Sequence, residues 1–185
     1  MWHRHARHCP LCGAALVIEE VERRPRPRCT RCTFVLFANP ASASAGLVLD
    51  RSRRVLLIRR RIQPFRGDWA LPAGYQEEDE EPAQTALREI REEAGVEARV
   101  LGLVDLMFVP DDPRKPANVA VFLCAHEGGE PAPGDDAEDA RWFSLDALPG
   151  NIGFDNNRRI LEHLRDPEGY PHPSRNLLRE ALRGL

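Results

Sequence analysis

Residues 74–96 read GYQEEDEEPAQTALREIREEAGV. The stretch predicts one helix over residues 82–94. Acidic Glu80 and Glu81 precede it, Pro82 occupies the first turn where a missing N–H costs nothing, and Gly95 stops it. Ala83, Ala86, Leu87, Ile90 and Ala94 recur at helical spacing and form the buried stripe. Glu89, Glu92 and Glu93 stand at i, i+3 and i+4, so the three carboxylates share a face. Like charges at that spacing repel by a few tenths of a kcal/mol per pair, and a helix built only for stability avoids them. A hard divalent cation resolves the repulsion, because it takes carboxylate oxygens and keeps positions for water and phosphate. An acidic solvated face partnered by Arg88 and Arg91 is the alternative reading of this helix alone.

Outward from the helix, residues 43–50 and 54–59 read as strands joined by the polar turn Asp50-Arg51-Ser52-Arg53. Residues 100–109, 119–126 and 141–145 are further strands, residues 155–164 a second helix, and residues 174–185 a third. Residues 131–139, rich in Gly, Pro and Asp, read as an acidic loop. The 185 residues accommodate one ordinary domain and a small appendage. A net charge of -3 gives no electrostatic reason to expect nucleic-acid binding over a broad surface. The basic residues are arginines apart from Lys115; arginine forks suit phosphate recognition, but a GC-rich coding bias gives the same composition and is the favoured reading.

No segment approaches the roughly 20 apolar residues that span a bilayer. Residues 1–10 are rich in His and Arg without an apolar core of a signal peptide, so a cytoplasmic location is expected. Four of the five cysteines form two pairs, Cys9/Cys12 and Cys29/Cys32, with sixteen residues between the pairs. In a reducing compartment that spacing reads as a structural Zn²⁺ site with four thiolates and no open position. Residues 16–22 would supply a ribbon strand and the following Pro/Arg stretch its turn. Cys124 lies in an apolar run and reads as a buried strand residue.

The order Gly74, five residues, Glu80, seven residues, then Arg88-Glu89-Ile90-Arg91-Glu92-Glu93-Ala94-Gly95-Val96 resembles the signature of the Nudix hydrolases. The similarity continues through Trp69-Ala70-Leu71-Pro72-Ala73 before it, and Arg141-Trp142-Phe143 with Leu148-Pro149 after it. The resemblance implies an α/β fold, a Nudix-type α/β/α sandwich with a mixed sheet. It divides the chain into a zinc ribbon (1–38), a Nudix domain (39–165) and a C-terminal tail (166–185). The implied Mg²⁺ or Mn²⁺ ligands are Glu89, Glu92, Glu93 and the Gly74 carbonyl. Glu80 and Arg88 would hold each other and orient the metal-binding helix. The base for the attacking water would be Glu93, with Asp136, Glu138 and Asp139 behind it. Many relatives carry Gly where this chain has Asp79, a residue that tolerates turn conformations. Relatives are commonly homodimers, which sets the expectation for assembly.

The segment Arg59 to Trp69, with Asn39-Pro40 and Ile152-Gly153-Phe154-Asp155, resembles the zinc-ribbon branch that hydrolyses FAD and ADP-ribose. NADH pyrophosphatases share the ribbon but typically carry a Ser-Gln-Pro-Trp-Pro-Phe-Pro type motif after the box, and residues 104–115 do not read that way. Housecleaning of nucleoside triphosphates, hydrolysis of capped RNA, and a non-enzymatic ADP-ribose sensor are the competing readings. Phe65, Arg66 and Trp69 are the expected substrate contacts, since an adenine needs an aromatic or guanidinium plane. Phe108 and Phe154 read more as core than as ligand contacts.

Overall fold

A computed structural model describes residues 5–110, 115–134, 136–169 and 172–184. Strands β1 (Leu16–Val21) and β2 (Arg24–Cys29) form an antiparallel ribbon. The second strand is the Pro/Arg stretch expected to be a turn; the turn is only Glu22 and Arg23, both with positive φ. Pro25 and Pro27 are tolerated there because their missing N–H groups face away from β1, on the side where the Pro27 carbonyl accepts from Leu36 N at 2.8 Å.

The remaining strands among the described residues build one mixed sheet. These are β3 (Ala41–Leu49), β4 (Val55–Arg60), β5 (Trp69–Ala70), β6 (Ala73–Tyr75), β7 (Glu97–Val109), β8 (Ala117–Gly128) and β9 (Ala137–Phe143). The order is β5-β4-β3-β8-β7, with β6 also pairing β3 and β9 pairing β4. Strands β3 and β8 run parallel over their lengths, and the other pairings are antiparallel. Strands β3 and β4 pair only at Leu49 and Val55, next to their hairpin turn. Beyond it they diverge, β5 joining β4 at Ile58 and Arg59 while β6 joins β3 at Ala43 to Ala45. That split opens the middle of the sheet.

Helix α1 (Pro82–Ala94) covers one face, and α2 (Asp155–Arg165) with α3 (Arg175–Gly184) covers the other. Two cores record this. Ile90, Ala94 and Val96 pack with Val48, Leu56, Ile58 and Cys124. Ile160, Leu161, Leu164 and Leu178 pack with Leu47, Leu57, Val121 and Leu123. Both cores begin at or after Ala41, so the ribbon contributes to neither. The expected α/β/α sandwich is therefore what forms. The strand after the acidic loop starts earlier than read, at Ala137 and not Arg141, because β4 offers pairing partners as far as Arg60. No described helix is long and apolar enough to cross a membrane.

Candidate active site

Helix α1 starts where its sequence signals place it. The Gln84 side chain accepts from Glu81 N at 2.8 Å, and Gly95, at φ 69°, returns its N–H to the Arg91 carbonyl. The loop 131–134 then closes the helix C-terminus, with Ala132 N donating to Ala94 O (2.9 Å) and Gly134 N to Glu93 O (3.1 Å). Asp79 lies in a turn and is not among the positive-φ residues, so the position has no need of glycine here.

A cleft of about 360 Å³ opens at the split in the sheet. Gly74, Glu89 and Glu93 line it on the α1 side. Glu93 is only 6% exposed and accepts from Ala73 N at 2.9 Å. Burial pushes its carboxyl up to about 8, with the neighbouring Glu89 and Asp136 adding to the rise. Burial also raises Glu89, against the pull of Arg88. Gly74 is required for room: a Cβ there would overlap the Glu89 carboxylate. Two desolvated carboxylates and a bare backbone position, converging in a cleft, are hard oxygen donors suited to a divalent cation. Glu92 does not line the cleft; it is exposed and its carboxylate meets Arg88 Nη1 at 2.9 Å.

Arg88 organises this helix face. Its Nε and Nη2 grip both oxygens of Glu80 at 2.6 and 3.0 Å, Nη1 reaches Glu89 at 2.7 Å, and Nη2 also meets the Tyr75 carbonyl at 3.0 Å. Thr85 Oγ1 donates to Glu80 at 2.9 Å. The Arg88 guanidinium holds the Glu80 carboxyl down at about 2. The guanidinium thus ties the loop carrying Gly74 to the helix carrying the glutamates.

The three candidate acids Asp136, Glu138 and Asp139 separate. Asp136 lines the cleft, while Glu138 pairs with Arg59 at 2.8 Å and Asp139 with Arg141 at 2.6 Å, both outside it. Of the expected substrate contacts, none lines the cleft directly. Trp69 is 7% exposed and packs edge-on against Phe143, centroids 4.7 Å apart. Arg66 is exposed, and Phe65 stacks at 4.6 Å behind Phe154, which does line the cleft. Phe154, read as core, packs against the core and also lines the cleft, whereas Phe108, also read as core, is 60% exposed. Phe65 and Phe154 both hold positive φ, a conformation costly for aromatic residues.

Sequence reasoning missed Arg60, Lys115, Asn156 and Asn157, all of which line the cleft. The Arg60 guanidinium lies 5.1 Å from the Phe154 centroid, and Lys115 Nζ 5.7 Å from that of Tyr75. One signal for the asparagines existed: Asn157 falls in phase with Ile160, Leu161 and Leu164, where an apolar residue would be expected. Larger, shallower depressions of about 760 and 670 Å³ carry none of these carboxylates.

At the N-terminus, Cys9, Cys12, Cys29 and Cys32 bring their sulfurs within 4.8 Å of one another. The pairs Cys12/Cys29, Cys9/Cys32 and Cys12/Cys32 are 3.5, 3.6 and 3.7 Å apart. A tetrahedron with metal–sulfur bonds of about 2.3 Å has edges of about 3.8 Å, so the four thiols fit one ion. The Arg31 amide, together with that of Cys32, holds the Cys29 thiol down at about 6.

The chain belongs to the NUDIX family, whose domain model matches residues 39–164, and is a hydrolase of that family. It is 37% identical over 137 residues to an ADP-ribose pyrophosphatase of Methanocaldococcus jannaschii, covering 74% of this chain and 80% of that protein. It is 34% identical over 169 residues to an NAD-capped RNA hydrolase, NudC, of Pseudomonas aeruginosa, covering 90% of this chain and 56% of that one. The chain thus spans little more than half the length of that second relative. Among solved structures, a NUDIX hydrolase from Nitrosomonas europaea superposes with a TM-score of 0.77 at 26% identity, covering 90% of this chain and 95% of the other.

Proposed function

We propose that the chain hydrolyses the diphosphate bridge of a nucleotide joined to a second moiety, with ADP-ribose the foremost substrate and FAD a related one. The observation that carries this reading is the convergence of Gly74, Glu89 and Glu93 in the cleft that Arg60 and Lys115 also line. Glu89, Glu93 and the Gly74 carbonyl would hold Mg²⁺ or Mn²⁺, with Glu92 joining when its carboxylate leaves Arg88. Bound there, divalent metal neutralises the diphosphate and lowers the barrier to attack by water. Water oxygen bonds to one phosphorus as the bridging P–O bond breaks, and ADP-ribose yields AMP and ribose 5-phosphate. Arg60 and Lys115 attract the diphosphate, and Arg88 keeps the Gly74 loop registered on α1. Glu93 or Asp136 takes the water's proton.

Similarity to the ADP-ribose pyrophosphatase, over four-fifths of that protein's length, favours ADP-ribose. The likeness to NudC, which extends over nine-tenths of this chain, supports a second reading as an NADH or NAD-cap hydrolase. The intact box weighs against a non-catalytic sensor and does not favour triphosphate housecleaning. In this reading the four cysteines hold a structural Zn²⁺, the protein works in the cytoplasm, and two copies pair. The exposed Leu103, Leu106 and Phe108 of edge strand β7 supply apolar area for that pairing, which sedimentation tests. The function is tested by phosphate release, coupled to a phosphatase, on ADP-ribose, FAD, NADH and nucleoside triphosphates with Mg²⁺ or Mn²⁺. ADP-ribose is expected to be turned over fastest; activity on triphosphates alone would overturn the reading.

A further inference from the structure

The cleft also has an end away from the box. Helices α1 and α2 lie on opposite faces of the sheet, and the cleft runs between residues of both, with Phe154, Asn156 and Asn157 at the α2 side. Asn156 and Asn157 sit in the first turn of this helix, and both are more than nine-tenths buried.

Their amides are oriented by a chain of obligate donors. The Leu71 N–H can only donate, so the Asn157 side-chain oxygen must face it, at 2.7 Å. The Asn157 NH₂ then points to Asn156, whose oxygen accepts at 3.1 Å. The Asn156 NH₂ is left with no acceptor among the described residues, in the wall of the cleft that the residue lines. The buried side-chain polar atoms without a hydrogen-bond partner among the described residues are Ser44 Oγ and Arg59 Nε, so the Asn156 NH₂ is not sealed in but opens on the cleft, where a bound acceptor can take its hydrogen. The N-terminal end of α2 adds a field that favours an electron-rich atom at this place. The cleft wall also carries apolar residues, Leu71, Val119 and Phe154 among them.

We infer that Asn156, oriented by Asn157, is a substrate-binding residue that donates one hydrogen bond to an acceptor atom of the nucleobase. The inference rests on the nucleotide reading of the cleft. With the diphosphate at the Glu89 and Glu93 end, the flat base is the part of the substrate that suits apolar walls and a single fixed donor. Asn157 is a positioning residue: with its side chain committed to the Leu71 N–H and the Asn156 oxygen, it sets which atom Asn156 presents.

Steady-state kinetics on ADP-ribose with Mg²⁺ test this in Asn156→Ala, Asn156→Asp and Asn157→Asp. The Ala variant should raise KM about tenfold, the usual effect of losing a hydrogen bond to a buried partner, with kcat within about threefold of wild type. Asn156→Asp, which replaces the donor by an acceptor, should raise KM further. Asn157→Asp leaves the Leu71 N–H satisfied but offers Asn156 only an acceptor. The Asn156 amide must then turn over, and KM should rise as in Asn156→Ala although residue 156 is unchanged. Inhibition by AMP should weaken in all three, while inhibition by ribose 5-phosphate and the affinity for Mg²⁺ stay as in wild type. Unchanged KM in both Asn156 variants overturns the inference, and so does a weakening confined to ribose 5-phosphate. Absence of turnover by the wild-type protein on any nucleotide diphosphate would instead overturn the proposed function beneath it.

Discussion

The carboxylate of Glu89 fills the volume in which a side chain on Gly74 would have to begin. The two residues lie on different elements, β6 and α1, and both line the same cleft. Gly74→Ala should displace Glu89 without disturbing either hydrophobic core. Its expected outcome is a loss of about 10- to 100-fold in Mg²⁺ affinity or activity, with an unchanged circular dichroism spectrum. Calorimetric Mg²⁺ titration checks it; wild-type affinity in the variant would show that the contact is incidental.

Arg88 meets Glu80 through two nitrogens, and adds bonds to Glu89, Glu92 and the Tyr75 carbonyl. A lysine carries the charge but cannot reproduce that fork. Arg88→Lys is therefore expected to lower kcat by about 10-fold or more, while Arg91→Lys, whose partner Glu97 is exposed, should change it little. Parallel rate measurements on the two variants decide the point.

Glu93 carries the pH signature of the metal-free site. Its folded carboxyl is raised to about 8 from an ordinary value of 4.5. Between those values the folded chain holds a proton that the unfolded chain has lost. Stability should therefore be greatest below about pH 4.5 as far as this group is concerned, and decline as pH rises towards 8. Urea unfolding in Mg²⁺-free buffer should show a steeper decline from pH 5 to pH 8 for wild type than for Glu93→Gln. Parallel curves would remove burial of Glu93 as the cause.

Of Asp136, Glu138 and Asp139, only Asp136 lines the cleft. Asp136→Asn should lower kcat more than Glu138→Gln or Asp139→Asn, whose side chains are committed to Arg59 and Arg141. Equal effects in single-turnover assays would exclude a special part for Asp136.

The ribbon stands outside both hydrophobic cores, so in the proposed reading its stability depends on the ion its four cysteines would hold. Cys12→Ser should abolish metal retention and disorder β1 and β2. The melting temperature of the domain from Ala41 onward should shift by no more than a few degrees. Hydrogen exchange resolved by segment reads this directly, and collapse of protection in β3 and β8 would contradict it.

The box helix was legible because its boundaries and faces are local: Pro82, Gly95 and the recurring alanines and Ile90 need no distant partner. The long strands announced themselves by apolar runs. Strands β5 and β6 did not, since two and three residues carry no alternation and are extended only because β4 and β3 pair with them. Proline in β2 and acid in β9 read as turn and loop, because composition does not reveal which edge of a strand goes unpaired. In the site, the glutamates and Gly74 were visible as spacing. The burial of Trp69, the pairing of Glu138 with Arg59, and the orientation of Asn157 by the Leu71 N–H arise from chain segments far apart in sequence.

In the proposed mechanism, Glu93 and its companions hold the metal that drives diphosphate hydrolysis. Glu93→Gln keeps an acceptor for the Ala73 N–H and removes the negative charge, so the fold should persist. Product formation from ADP-ribose, followed with and without Mg²⁺, is the most direct test. AMP and ribose 5-phosphate are expected from wild type only with the metal, and kcat should fall at least about 100-fold in the variant. Metal-independent turnover, or near wild-type turnover by Glu93→Gln, would contradict that mechanism.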